Sequence, residues 1–135
     1  MKKVLIFVAI LMYAVAGMTA PVRAQGTNFI AELNDIPVLD GLIKLADRGF
    51  SFDSPAVQIA EVYFVTALDR EMVTDFYTKT LPQLGWRVIT PETFFRADER
   101  LTILIEPGES EKTNVVRFLL APPTPSDLNA EKEAS

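Results

Sequence analysis

At Gly85 the apolar residues of this chain change period, and that change constrains the fold more than any other feature. Before it, Val73, Phe76, Tyr77, Thr80, Leu81 and Leu84 recur at helical spacing and make one stripe. After it, short segments of strand character are separated by short turns: Trp86 to Thr90, Thr93 to Ala97, Leu101 to Glu106 and Asn114 to Leu120. Pro91-Glu92, Asp98-Glu99 and Pro107-Gly108-Glu109 provide the breaks. Strands joined this closely pair antiparallel as a meander. Asp69 stands where it caps the helix, Pro82 breaks its last turn, and Gly85 takes the left-handed exit conformation.

Upstream, Phe50 to Phe52 is a short extended piece and Val57 to Thr66 a strand rich in β-branched and aromatic residues. The expected fold is therefore α+β, a single helix packed on a mostly antiparallel sheet in the order β-β-α-β-β-β-β. Pairing about Asp98-Glu99 sets Phe94 beside Ile103 and Arg96 beside Leu101 on one face. Phe95, Thr102 and Leu104 fall on the other. Both faces thus carry apolar side chains, and one helix covers only one of them. The irregular, apolar segment 25–49 is expected to be an arm over the second face, with Asp40 capping a short helical turn through Leu45. A second subunit is the other candidate cover. The α+β domain spans 50–121. Residues 122–135, opened by Pro122-Pro123 and then polar, are expected to be a disordered tail.

Met1 to Ala24 has the form of a secretory signal peptide. A basic start precedes the uncharged run Val4 to Ala20, and Val22 and Ala24 sit at small-x-small spacing after Pro21. Cleavage is expected after Ala24, giving a periplasmic or secreted protein. If the segment were retained, its run lies at the lower edge of the roughly 17–25 residues that span a bilayer, and the domain would be tethered. Without Lys2, Lys3 and Arg23, the 13 basic side chains fall to 10 against 18 acidic ones, a net charge of −8. Such a field repels phosphate backbones, so nucleic acid is not an expected partner. Cys and His are both absent. That removes disulfides, a lipidated amino terminus, thiol nucleophiles, Ser-His-Asp triads and imidazole zinc sites. No cofactor or metal is expected.

What remains for chemistry is carboxylates, Lys, Tyr or Ser alone, and among the carboxylates Glu61, Asp98, Glu99 and Glu106 are the candidates for a hydrolase. Nothing in their spacing makes two of them converge. Glu61 lies in an apolar strand and needs Arg87 or Arg117 as partner if buried. Arg87, Arg96, Arg100 and Arg117 crowd the strand-rich half. They read either as an anion-binding patch or as solvated charges that keep sheet edges from pairing. Tyr77 is expected to keep a wet hydroxyl beside them. The aromatic residues line a pocket for an apolar ligand in one reading and fill the core in the other.

Phe76-Tyr77-Thr78-Lys79-Thr80-Leu81-Pro82-Gln83-Leu84-Gly85-Trp86 is followed by Phe94-Phe95-Arg96 and Glu99-Arg100-Leu101. This run resembles a family of small exported bacterial proteins with an F-Y-x-x-x-L-P-x-L-G-W helix exit, an aromatic strand and an E-R-L hairpin. Asp35-Ile36-Pro37 with Gly41-Leu42 is similar to their amino-terminal arm. The resemblance implies the same fold and an exported location, and brings no activity or site residue with it.

The functional expectation is a non-enzymatic binding module acting on another envelope protein or on itself. A carboxylate-based hydrolase and a carrier of a small apolar ligand are the alternatives. The protein recovered from its native compartment is expected to begin at Gln25. An amino-terminal sequence starting at Met1 would show the segment to be an anchor instead.

Overall fold

The computed structural model describes residues 28–133; the expected signal peptide, residues 1–24, lies outside them. Seven strands form one sheet: β1 (Ile43–Lys44), β2 (Phe50–Asp53), β3 (Gln58–Thr66), β4 (Arg87–Thr90), β5 (Thr93–Arg96), β6 (Glu99–Pro107) and β7 (Asn114–Ala121). Their order is β1-β3-β7-β6-β5-β4, with β2 also paired to β3, and every pairing is antiparallel. The expected α+β architecture and the β4–β7 meander are both present. Segment 40–45 is not a helical turn. Gly41 turns the chain at φ 101°, and Ile43–Lys44 then joins β3 as an added edge strand.

Helix α1 (Arg70–Thr80) begins at Asp69, which occupies the cap position without bonding through its side chain. Its stripe buries Val73 and Tyr77. Pro82 ends it in a separate 3-10 turn, Leu81–Leu84, and Gly85 leaves at φ 88°. Trp86 N–H donates back to Leu81 O at 3.1 Å, so the exit is pinned before β4 begins.

Register determines what α1 packs against. Val62, Phe118 and Ile103 are cross-strand partners on β3, β7 and β6, and Phe64, Val116 and Ile105 form the next row. All six are buried. Phe118 meets Phe64 and Tyr77 edge-on, at centroid distances of 5.5 and 5.2 Å.

The arm was expected over the second face, but it packs beside α1 on this same face. Ile30, Leu33 and Ile36 are at most 2% exposed and join one core with Val73, Tyr77 and Phe118. The reason is geometric. An 11-residue helix is about 16 Å long, whereas the six-strand path of the sheet is about 24 Å wide. The arm fills the remainder. It closes on itself through Ile30 N–H to Ile36 O at 2.8 Å and Val38 N–H to Asn28 O at 2.7 Å, around a 3-10 turn at Ala31–Leu33.

The β5–β6 hairpin also differs in detail. Phe94 pairs with Leu101 and Arg96 with Glu99, because the turn is Ala97-Asp98, with Ala97 at φ 48°. A shift of two residues leaves every side chain on its expected face. The tail is not disordered throughout: Pro125–Glu133 is a second helix, α2. Thr124 and Asp127 cap it reciprocally. Thr124 N–H and hydroxyl donate to the Asp127 carboxylate at 2.8 and 2.6 Å, and Asp127 N–H donates to Thr124 O at 3.0 Å.

Tyr77 does not keep a wet hydroxyl. It is 1% exposed, donates to Pro37 O at 2.8 Å and accepts from Leu39 N–H at 3.3 Å. Burial raises the phenol well above its usual range. Tyr77→Phe strands one buried and one part-buried backbone group and is expected to cost about 2 kcal/mol, roughly 8–16 °C in melting temperature for a domain this size. A change inside the roughly 0.5 kcal/mol scatter of surface substitutions would refute the clamp.

Candidate functional site

The second face of the sheet is neither a solvated surface nor a core. Ile59, Tyr63, Val65, Leu104, Val115 and Leu119 are all partly exposed. At its β1–β2 border Ile43, Phe50 and Phe52 are 66, 54 and 57% exposed. Alternation places these residues opposite the buried ones on every strand.

At the other border lies helix α2. A half-open groove of about 770 Å³ separates it from β4 and β5, lined by Val88, Ile89, Phe95 and Leu128 among others. Its floor comes from register. Arg87 on β4 pairs with Phe95 on β5, and Phe95 with Arg100 on β6, so a nearly buried ring lies between two guanidiniums on one face. Both cations reach the helix. Arg100 Nη1 meets Asp127 Oδ2 at 2.8 Å, and Arg87 Nη2 meets Glu131 Oε1 at 2.6 Å. Asp127 is held below the usual carboxylate range, first by the Thr124 hydroxyl and N–H and then by Arg100.

The four arginines expected as one patch are therefore divided. Arg87 and Arg100 flank Phe95 in the groove. Arg96 is on the α1 face: its guanidinium lies 4.3 Å from the Trp86 ring centroid, bonds Asp35 Oδ1 at 3.1 Å and Glu99 Oε2 at 3.2 Å, and caps Leu84 O at 3.2 Å. It staples the arm to the β5–β6 hairpin. Tyr77, buried on that same side, belongs to no binding surface.

Arg117 belongs to a third group, at the middle of the second face. Its Nη2 pairs with Glu61 Oε2 at 3.0 Å, while Tyr63 hydroxyl donates to Glu61 Oε1. Of the two partners expected for Glu61, the structure selects Arg117, since Tyr63 is the cross-strand neighbour of Arg117 on β7. Arg48 stacks over the Tyr63 ring at 5.4 Å. The Tyr63 bond, then Arg117, lowers Glu61 below its ordinary value, and the phenol is pushed up in return. This is the wrong direction for a general acid, which needs a raised pKa. Neither Glu99, tied to Arg96 on the α1 face, nor Asp98 in the exposed hairpin turn converges with Glu61. Glu106 lies on an exposed stretch of β6.

A smaller polar cavity of about 220 Å³ lies between Glu32, Lys44, Arg48 and Glu61. Lys44 and Glu32 form an ion pair across it. Among the described residues, no three acidic side chains lie close enough together to hold a metal ion.

The groove was missed in the sequence because residues 122–135 read as polar tail. Its signal was nevertheless there. Thr124-Pro125-Ser126-Asp127 has a capping hydroxyl, Pro at the first helical position and an acceptor three residues on. No protein-family model, curated protein or solved structure matches this chain, so the site rests on its own geometry.

The Asp127 cap sets an acid limit on the groove wall. Because its folded pKa is depressed, the contribution is fully present above the ordinary Asp range and lost as pH falls through the lower folded value. Hydrogen-exchange protection of the Leu128–Glu133 amides, taken relative to the intrinsic rate at each pH, is expected to fall with acidification before that of the β6–β7 amides. Asp127→Asn should show the lowered protection already at neutral pH. Protection of the two regions falling together in wild type would refute the separate titration.

Proposed function

We propose that this chain is an exported, non-enzymatic binding module that engages another envelope protein through the second face of its sheet, at the groove beside α2. The observation that carries the reading is the groove itself. Its apolar walls and paired charges lie on a face that the rest of the fold leaves half exposed. Export is supported by the signal-peptide form of Met1 to Ala24 and by the resemblance to small exported proteins. The ionised, doubly bonded Glu61 favours binding over carboxylate catalysis.

A small apolar ligand is the second reading, and the groove volume favours it, since ligand sites typically enclose roughly 300–1,000 Å³. The interface of α1 with the sheet offers such a ligand less, being filled by Val73, Tyr77, Leu81 and Phe118. In the first reading the apolar walls are contact surface for a protein segment, and mutation of them weakens capture without emptying any bound small molecule.

Ile89 on β4, 44% exposed, can be changed without opening the core. Mature protein bearing Ile89→Asp, immobilised and incubated with envelope extract at moderate salt, is expected to lose its captured partner. A loss of at least about tenfold, equivalent to about 1.4 kcal/mol, is the supporting result. A partner retained in full by the variant, or a lipid-like molecule released from wild type alone, would overturn the protein-binding reading.

A further inference from the structure

Helix α2 does not behave as a core element. None of its residues is buried, and Leu128, its one large apolar side chain, is more than half exposed. A nine-residue helix is shorter than the roughly 12–15 residues at which isolated helices become even marginally stable in water. Among the described residues its cap and two ion pairs, Arg100–Asp127 and Arg87–Glu131, tie it to the sheet. Exposed or half-exposed pairs of this kind are weak individually. The helix follows Pro122-Pro123, a stiff connection with few contacts to break.

The match between helix and sheet has a specific form. Asp127 and Glu131 are four residues apart and so project from one helical face. Arg100 and Arg87 stand on either side of Phe95, two strand spacings apart, about 10 Å, a span that long guanidinium side chains close from both ends. Leu128 is turned toward the groove between them. Two carboxylates, one apolar residue and a helical backbone meet two cations, one aromatic ring and an apolar wall. That is how a bound peptide meets its site.

We propose that α2 is an internal ligand. It occupies the Arg87–Phe95–Arg100 row until an acidic helical segment of a partner protein, with carboxylates four residues apart and an apolar residue beside the first, displaces it. This rests on the second face being the binding face, and adds the chemistry of the partner and the reason the groove stands only half open. Displacement uncovers Phe95 but leaves the sheet intact, since no residue of α2 belongs to the core cluster.

The test uses a labelled peptide of residues Pro122–Ser135 as probe, against the full mature chain. Asp127→Ala with Glu131→Ala is expected to release α2 and let the variant bind the peptide at least tenfold more tightly than wild type does. Adding Arg87→Glu and Arg100→Glu to that variant should abolish binding, and so should replacing the two carboxylates of the peptide by Ala. Three results would overturn the proposal. One is a released α2, seen by hydrogen exchange, with no peptide binding. Another is equal binding to wild type and variant. The third is a concentration-dependent wild-type dimer that the double variant loses, which would make a second copy the occupant. Should the double variant fail to fold, excess peptide added to wild type should raise exchange across Leu128–Glu133, and unchanged exchange would overturn the proposal. A failed peptide with a groove-dependent capture would remove the internal ligand and leave the binding face.

Discussion

One hydroxyl group ties the first face of this protein together. Tyr77 projects from α1 into the arm, donating to Pro37 O and accepting from Leu39 N–H. Its ring packs edge-on against Phe118 at the centre of the sheet. Three elements distant in sequence thus meet at one buried side chain. The helix is too short to close its face, and the arm has too little regular structure to hold its own position. Each needs the other, and the phenol joins them with two directed bonds in a place where unpaired backbone groups are costly. Arg96 repeats the arrangement at the rim, where solvent reaches it, bonding Asp35 of the arm and Glu99 of the hairpin while stacking on Trp86.

Because the arm is consumed by the first face, the second is left to its own residues. Its middle is satisfied by the Glu61–Tyr63–Arg117 group, which neutralises charge among half-exposed aliphatic side chains. Its β4 border is covered by α2, none of whose residues is buried. The two faces therefore differ in the kind of interaction that closes them. One is closed by burial and directed hydrogen bonds, the other by paired charges at the surface. Charge pairs at a surface are more readily exchanged for others than a packed core is, because solvent already competes for them.

Much of this was readable from the chain. The period change at Gly85 held because a left-handed exit, an apolar stripe and a β-branched run are local properties. The β4–β7 meander held for the same reason. The Phe94 register missed by two because Ala97 takes a positive φ that its side chain does not announce, yet the faces survived, as parity does not depend on where the turn falls. Division of the arginines was readable in part, since Arg96 and Arg100 fall on opposite faces across a two-residue turn. The arm was readable as apolar and packed, but its position was not. Its shape is set by backbone bonds, Ile30 to Ile36 and Val38 to Asn28, that no side-chain period reports. Helix α2 was hidden by polar composition, although Thr124 and Asp127 marked its start.

The position of β3 in the sheet has a consequence for the order in which the molecule assembles. Its partner along nearly its whole length is β7, and Glu61 and Arg117 are 56 residues apart in the chain. Strands β4 to β7 close by short hairpins, whereas β3 must wait for the last strand of the sheet before its inner edge is paired. Loop closure over such a distance is slow relative to hairpin formation. A chain that emerges amino end first from a narrow channel therefore carries β3 paired only along its β1–β2 edge until β7 has emerged. Topology alone delays closure of the sheet until its final strand is present.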